Sequence, residues 1–301
     1  MVRCVDKANI LINFQQSDLA GTRYLETIMP TQEWSQIWHN AQLDVGLLQA
    51  FYIHHAYPRH SHDYYVICLI ERGLQSFTHK GAKHLTPPGG VILINPGAVH
   101  TGEAADEQGF QMRSLYPTIS HMQTAVFELT GRHQELPFFT DVRVDHRWTR
   151  DSVLALHKAL AQGASALECE SCFTWTLAQL IKRYADLRFS EQRLGKEQKA
   201  IQRARRYIDE CFSQGISLTQ LAAHVSLSPY YLLRAFRAEV GMPPHAYLES
   251  VRIRHAQRLI EAGKRLAEVA DEVGFSSQSH LTHRFKQIIG VTPGQYAQQL
   301  R

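Results

Sequence analysis

Three histidines in the first third of the chain have a spacing that metal or ligand chemistry can use. His60 and His62 stand one residue apart in "YPRHSHDYYVICLIERG", and His100 lies in "GGVILINPGAVHTGEA". Residues i and i+2 of a strand project from one face, so these two imidazoles share a direction. Imidazole nitrogen is a ligand for zinc, copper, iron and nickel, and a third imidazole from a later strand makes a metal site physically possible. Asp63 does not join them, because it follows His62 directly and points to the opposite face. The same groups, with Arg59 and Tyr64 beside them, also suit recognition of a small organic ligand at the mouth of a pocket. His54, His55, His79 and His84 receive no role. No Gly-rich phosphate loop, G-x-S-x-G or zinc-type pair of C-x-x-C motifs points to another chemistry.

A second set of candidates lies near the other end, in two stretches that resemble each other. "LAAHVSLSPYYLLRAFRAEVGMPPHAY", residues 221–247, aligns with "VADEVGFSSQSHLTHRFKQIIGVTPGQY", residues 269–296. Leu221 matches Val269, Val225 matches Val273, Phe236 matches Phe285 and Tyr247 matches Tyr296. One supersecondary unit used twice explains such a repeat. In the first copy Leu218, Leu221, Ala222 and Val225 form the buried stripe of a short helix. Ser228 then caps the next helix, Pro229 opens it, and Leu232 and Phe236 anchor it. In the second copy Leu266, Val269, Ala270 and Val273 form the stripe, Gly274 makes the turn, Ser277 caps, and Leu281 and Phe285 anchor. Each copy therefore reads as a helix-turn-helix.

The outer faces of the second helices carry groups that read DNA. Tyr230, Leu233, Arg234 and Arg237 face outward in the first copy, with Tyr231 beside them; Gln278, Ser279, Thr282, His283 and Lys286 do so in the second. Arg bridges guanine O6 and N7, and Gln bridges adenine N6 and N7. Ser228, Ser277, Arg237 and Lys286 suit phosphates. Between the copies, residues 245–263 read as a helix of 19 residues, about 28 Å long at 1.5 Å per residue. That length approaches the roughly 34 Å between successive major-groove faces of B-DNA, so the chain can carry its own pair of readers.

Charge follows the same division. Residues 198–301 hold 14 Lys and Arg against 8 Asp and Glu, while the rest of the chain holds 18 against 20. A basic C-terminal third on a nearly neutral body suggests a polyanion partner. The whole chain has 301 residues, 44% hydrophobic and 20% charged, which fits about two folded domains. No apolar run approaches the roughly 20 residues of a membrane span. The N-terminal "MVRCVDKANILINFQQSD" lacks the apolar centre of a signal peptide, so the protein is read as cytoplasmic. Five cysteines, odd in number and sparse, do not form a disulfide framework. Cys169 and Cys172 read as neighbours on one helix turn.

These residues need elements to hold them. Residues 43–117 read as short strands broken by Gly and Pro: "LDVGLLQAFY", "DYYVICLIERG", "LQSFTHKG", "GGVILINPG" and "GFQMRSLYP". That pattern predicts a small barrel or sandwich. Residues 119–130 and 150–187 have helical periodicity, 188–198 reads as a linker, and about seven helices follow from 199.

At "GFSSQSHLTHRFKQIIGVTPGQY" the chain closely resembles the signature of the AraC/XylS family of bacterial transcription regulators, and roughly its last 100 residues are similar to that family's DNA-binding domain. The resemblance implies Tyr230, Leu233 and Arg234 as readers in the first unit and Gln278, Ser279, Thr282 and His283 in the second. His283 stands where members often carry Arg, and Leu233 is left with apolar contact to a thymine methyl. Residues 43–117 resemble the cupin-like ligand domain at the front of many members. In metal-binding cupins two His one residue apart, a Glu and a later His form the site; His60, His62 and His100 fit, and the Glu is missing.

The sequence is thus read as an α+β multidomain chain. A cupin-like β-barrel with flanking helices occupies 1–187, 188–198 links, and an all-α double helix-turn-helix domain occupies 199–301. The expected function is sequence-specific DNA binding by a regulator, in the activating sense, under control of a small-molecule effector held by Arg59, His60, His62, Tyr64 and His100. Expected partners are double-stranded DNA, the effector, RNA polymerase and a second copy docked through 150–187; no membrane, catalytic residue, metal or cofactor is assigned. Two alternatives stay open: a cupin-type metalloenzyme with a DNA-binding tail, and a ligand-independent regulator.

Overall fold

A computed structural model of the chain describes residues 30, 32–132, 135–186, 195, 197–289 and 291–299. The expected linker, 188–198, lies outside the described residues except for Gly195, Glu197 and Gln198, and so does the N-terminal stretch read for a signal peptide. The chain divides into two compact units, Met1–Gln32 and Glu33–Arg301, and every element named below belongs to the second.

Ten strands come first: β1 (Trp34–Asn40), β2 (Val45–Tyr52), β3 (Tyr57–His60), β4 (Val66–Gly73), β5 (Gln75–His79), β6 (Ala82–Thr86), β7 (Val91–Ile94), β8 (His100–Ala104), β9 (Phe110–Tyr116) and, after the first helix, β10 (Arg143–Val144). They form two antiparallel sheets, ordered β1-β2-β9-β4-β7-β10 and β3-β8-β5-β6. The structure adds β1 before the expected strand region and β10 after it.

Alternation along β4 shows how the larger sheet is used. Val66, Cys68 and Ile70 enter a core between the sheets, while Ile67 and Leu69 enter a second core on the outer face. Ile92 and Ile94 of β7 join the inner core, Val91 and Leu93 the outer one. Burial on both faces is why VICLI and VILI are continuous apolar runs.

Three helices cover the outer face: α1 (Ile119–Thr130), α2 (Arg147–Ala161) and α3 (Ala166–Tyr184). Met122, Val126 and Leu129 of α1, Val153 and Leu156 of α2, and Phe173, Leu177 and Ile181 of α3 pack there. His157 of α2 is fully buried in this layer. Its Nε2 lies 3.2 Å from the Leu48 carbonyl and its Nδ1 3.2 Å from an Arg113 guanidinium nitrogen, so the ring donates to the former and accepts from the latter. Burial first, then Arg113, pushes its pKa down to about 4.

Seven helices follow among the described residues: α4 (Gln198–Cys211), α5 (Leu218–Val225), α6 (Pro229–Val240), α7 (Pro244–Glu261), α8 (Leu266–Glu272), α9 (Gln278–Ile289) and α10 (Pro293–Gln299). The pairs α5–α6 and α8–α9 are the two expected helix-turn-helix units. Ser228 caps α6 by accepting from the Tyr231 amide, with Pro229 in the first turn. Ser277 accepts from His280 N at 3.1 Å at the start of α9. Gly274 has φ +81°, and a Cβ there would meet Ser213 O at 2.5 Å, so the turn demands glycine twice over. The connector α7 has 18 residues, about 27 Å at 1.5 Å per residue. Leu248 and Val251 belong to the core of the first unit, Ile253, Ala256 and Ile260 to that of the second. A single helix thereby orders both units.

The sequence leaves the apolar positions of "CFTWTLAQLIKRY" two uses, docking a second copy or covering the barrel, and in the structure this helix is covered on two sides by its own chain. Phe173, Leu177, Leu180 and Ile181 face the sheet, while Leu167 lies in the core of the first helix-turn-helix unit and Trp175 packs against both clusters.

Candidate ligand pocket and nucleic-acid interface

The pocket lies between the two sheets and encloses about 90 Å³. Val66, Cys68, Ile92, Ile94, Phe110 and Met112 give it an apolar wall from the larger sheet, and Tyr57, Gln75 and Phe77 close it from the smaller. Three of the five expected effector residues line it, namely His60, His62 and His100. His60 on β3 pairs in register with His100 on β8, so both rings leave the sheet side by side. Ring centroids lie 4.4 Å apart for His60 and His100, 4.7 Å for His60 and His62, and 5.3 Å for His62 and His100. Tyr64 does not line the cavity but stacks on His62 at 4.7 Å. Arg59 is exposed and lies off the wall, since it alternates with His60 along β3.

Hydrogen bonds fix two of these rings. His60 Nδ1 lies 2.7 Å from the Pro58 carbonyl, and His100 Nδ1 lies 2.9 Å from the Ala98 carbonyl. A carbonyl only accepts, so each Nδ1 carries the proton and the neutral ring keeps its lone pair on Nε2. Burial first, then the charges of His60 and His100, holds the His62 pKa down at about 4. Burial also lowers that of His100, against the pull of its bond to Ala98. Sequence reasoning missed Gln75, which is 6% exposed and whose Oε1 has no hydrogen-bond partner among the described residues. Its signal was a polar residue in phase with inward-facing Phe77 on one strand.

The expected DNA-reading residues fall into two groups. On α9, Gln278, Ser279, His283 and Lys286 are exposed, as is the cap Ser277. Thr282 is half-buried and its hydroxyl donates to Gln278 O at 2.8 Å. On α6 the expected outward placement of Tyr230, Tyr231 and Leu233 is corrected: they are 1%, 7% and 2% exposed. Tyr230 joins the core of the β-domain and its helices, its amide donates to Glu128 of α1 at 2.9 Å, and its hydroxyl accepts from Gln179 of α3 at 3.2 Å. Tyr231 O–H donates to Glu197 at 3.2 Å and accepts from Gly195 N at 2.7 Å. Leu233 packs with Leu167 of α3 in one core. Arg234 lies half-buried over the Tyr230 ring, and the exposed Arg237 over Trp175 of α3 at 4.6 Å. The physical reason is that α1 and α3 cover Tyr230 and Leu233, while Gly195 and Glu197 just before α4 hold Tyr231.

Acidic groups of α3 hold both units. Glu168 takes Arg284 of α9 in two bonds of 2.7 Å, and Glu249 of α7 pairs with the same guanidinium at 2.8 Å. Glu170 accepts from the amide and hydroxyl of Thr219 on α5 at 3.0 and 3.1 Å.

A β-domain with a histidine-lined pocket between its sheets, followed by two helix-turn-helix units, is the architecture of a transcription regulator. The comparisons agree: an AraC-like ligand binding domain matches residues 43–177 and a helix-turn-helix domain matches residues 221–299. An uncharacterized HTH-type transcriptional regulator of Bacillus subtilis, YbfI, is 33% identical over 78% of this chain and 83% of its own length. The HTH-type transcriptional activator RhaS of Pectobacterium carotovorum is 23% identical over 79% and 86%. The solved C-terminal domain of AraT, a response regulator from Geobacillus stearothermophilus, is 32% identical, covers 36% of this chain and 88% of its own, and has a TM-score of 0.33. The chain belongs to the AraC family of transcriptional regulators.

Proposed function

We propose that this regulator is switched by a small-molecule effector that enters the inter-sheet pocket and changes how α1 and α3 hold α6. The observation that carries this reading is the burial of Tyr230 and Leu233 against those helices, while the equivalent face of α9 stays open. Glu128 offers its carboxylate to the N-terminus of α6, where a DNA phosphate would otherwise bind. In this arrangement one reader is masked and the other is presented. An effector acts only through its difference in affinity between the masked and unmasked arrangements, so it must prefer one of them. Arg59 and Tyr64 then serve at the rim, His60, His62 and His100 inside it.

The same reading takes 1–187 as sensor and 199–301 as reader, with Arg234 and Arg237 reaching DNA once α6 is released. Activation through RNA polymerase follows the relative named as an activator, and a homodimer would double the number of readers on the operator. A binding-site selection with the full chain, followed by operator affinity at fixed salt with and without each compound that raises the melting temperature, tests it. An affinity that shifts with such a compound is expected. Affinity indifferent to every stabilising compound would overturn effector control and leave a ligand-independent regulator.

A further inference from the structure

We propose that Arg284 is a positioning residue shared between two carboxylates, and that a proton on Glu249 decides whether α9 is latched to α3 or kept by α7 alone. Glu168 of α3 accepts two bonds of 2.7 Å from one nitrogen of the guanidinium. Glu249 of α7 lies 2.8 Å from its Nε, close enough for an ion pair but without the alignment of a hydrogen bond. The side chains of Glu168, Glu249 and Arg284 are only 12%, 13% and 21% exposed. One guanidinium neutralises one carboxylate, so two ionised carboxylates here leave an excess charge out of water. The core beneath α9 is built with α7 and α8, and among the described residues it takes none from α1, α2 or α3. The first unit, by contrast, shares its core with Leu167 of α3. The tie between α9 and α3 is therefore ionic rather than packed.

The two carboxylates belong to different parts of the chain. Ionised Glu249 competes for Arg284 from within the second unit and its connector, whereas protonated Glu249 leaves the guanidinium to Glu168. Burial, opposed by Arg284 and aided by Glu168, pushes the Glu249 carboxyl up from its ordinary 4.5 to about 7. Release of α9 from α3 returns that carboxyl to water and towards 4.5, so latching takes up a proton. Latching is best supported below about pH 4.5 and loses that support as pH rises to about 7. Between about pH 6 and pH 8 its equilibrium constant should fall about tenfold. The charged and titratable neighbours are His245 and Arg252 on α7, His280 on α9, Cys172 on α3 and Arg237 on α6. Burial holds His245 down at about 4 and His280 below its usual range, and it raises the Cys172 thiol to about 12. The arginines keep their protons. Glu249 is thus the member of this cluster that changes charge near neutrality, and the latch does not rest on the effector reading above.

Energy transfer in the full-length protein tests the latch, with fluorescent labels on non-cysteine handles at Ala155 of α2 and Asp271 of α8, both exposed. A short distance should dominate at about pH 6, and the ratio of long to short should rise about tenfold by about pH 8. Glu168→Gln should show the longer distance at both pH values, and Glu249→Gln the shorter one at both, each in a protein with wild-type circular dichroism. Should Glu168→Gln fail to fold, Arg284→Lys takes its place: it keeps the charge, loses the planar fork and should lengthen the distance at both pH values. The wild-type distance retained in the folded variant would overturn the latch. Wild-type distances indifferent to pH, or a pH response undiminished in Glu249→Gln, would overturn the part given to the proton. None of these results bears on effector control, which the operator measurement reads at one pH.

Discussion

The two helix-turn-helix units share a sequence pattern and meet opposite fates. In the first, α6 is buried on nearly every side and its tyrosines belong to cores that include α3. In the second, α9 buries Leu281 and Phe285 beneath it and leaves its reading face in water. Duplication gave the chain two helix-turn-helix units; the helices of the β-domain bury the outer face of α6, whereas they hold α9 only from the side, through Glu168 and Arg284. The difference teaches that a repeated unit need not have a repeated environment.

The largest test of that contrast removes the matching anchors. Phe236→Ala and Phe285→Ala each delete a fully buried ring and should cost about 3–5 kcal/mol. If the first unit is fused to the β-domain, Phe236→Ala should speed hydrogen exchange in α1, α3 and the larger sheet. Phe285→Ala should do so in α8–α10 alone. Matching exchange patterns would erase the distinction.

Acid offers a smaller effect with a definite sign. Folding keeps His157 neutral, whereas the unfolded chain takes up its proton below about pH 6.5. Its contribution is therefore present above pH 6.5 and lost as pH falls towards about 4, a change on the order of 3 kcal/mol. The groups facing it are Arg113, the Leu48 carbonyl and the Trp38 ring, with Glu71 held to Arg113 at 2.8 Å. Chemical denaturation across this range should show the β-domain weakening together with the first unit, and His157→Gln should flatten the slope. A slope unchanged in that variant would assign the acid sensitivity elsewhere.

The finest test concerns the mask itself. Glu128→Ala removes one charge-assisted bond to the Tyr230 amide, about 1 kcal/mol for a half-buried carboxylate. Operator affinity should rise about fivefold if that contact competes with DNA. An unaltered affinity would mean that the Glu128 contact does not compete with DNA.

Much of this was legible in the residues. The caps Ser228 and Ser277, the turn at Gly274, the anchors Phe236 and Phe285 and the length of α7 all follow from local patterns that local forces enforce. Strands β3, β6 and β8 were harder, because YPRH, AKHLT and HTGEA are short and polar, and their pairing is set by partners distant in sequence. The burial of α6 was written in PYYLLRAF, which is apolar around most of the helix and not along one stripe. Reading Leu232 and Phe236 as the whole buried face left Tyr230, Tyr231 and Leu233 unexplained. By contrast QSHLTHRF has one apolar stripe, and the residues expected on its outer face lie in solvent apart from the half-buried Thr282. For the pocket, the histidines were visible as a set, but Gln75 needed the strand register before it could be placed.

Because α3 is faced on both sides, the chain does not recombine between α3 and α4 as freely as a string of modules would. A β-domain grafted onto a foreign reader would arrive with Leu167 and Trp175 uncovered, and a reader grown alone would turn Tyr230 and Leu233 to water. Each fragment would tend to stick to other surfaces or to itself. A working chimera has to transplant the outer surface of α3 together with the helix it was shaped to cover.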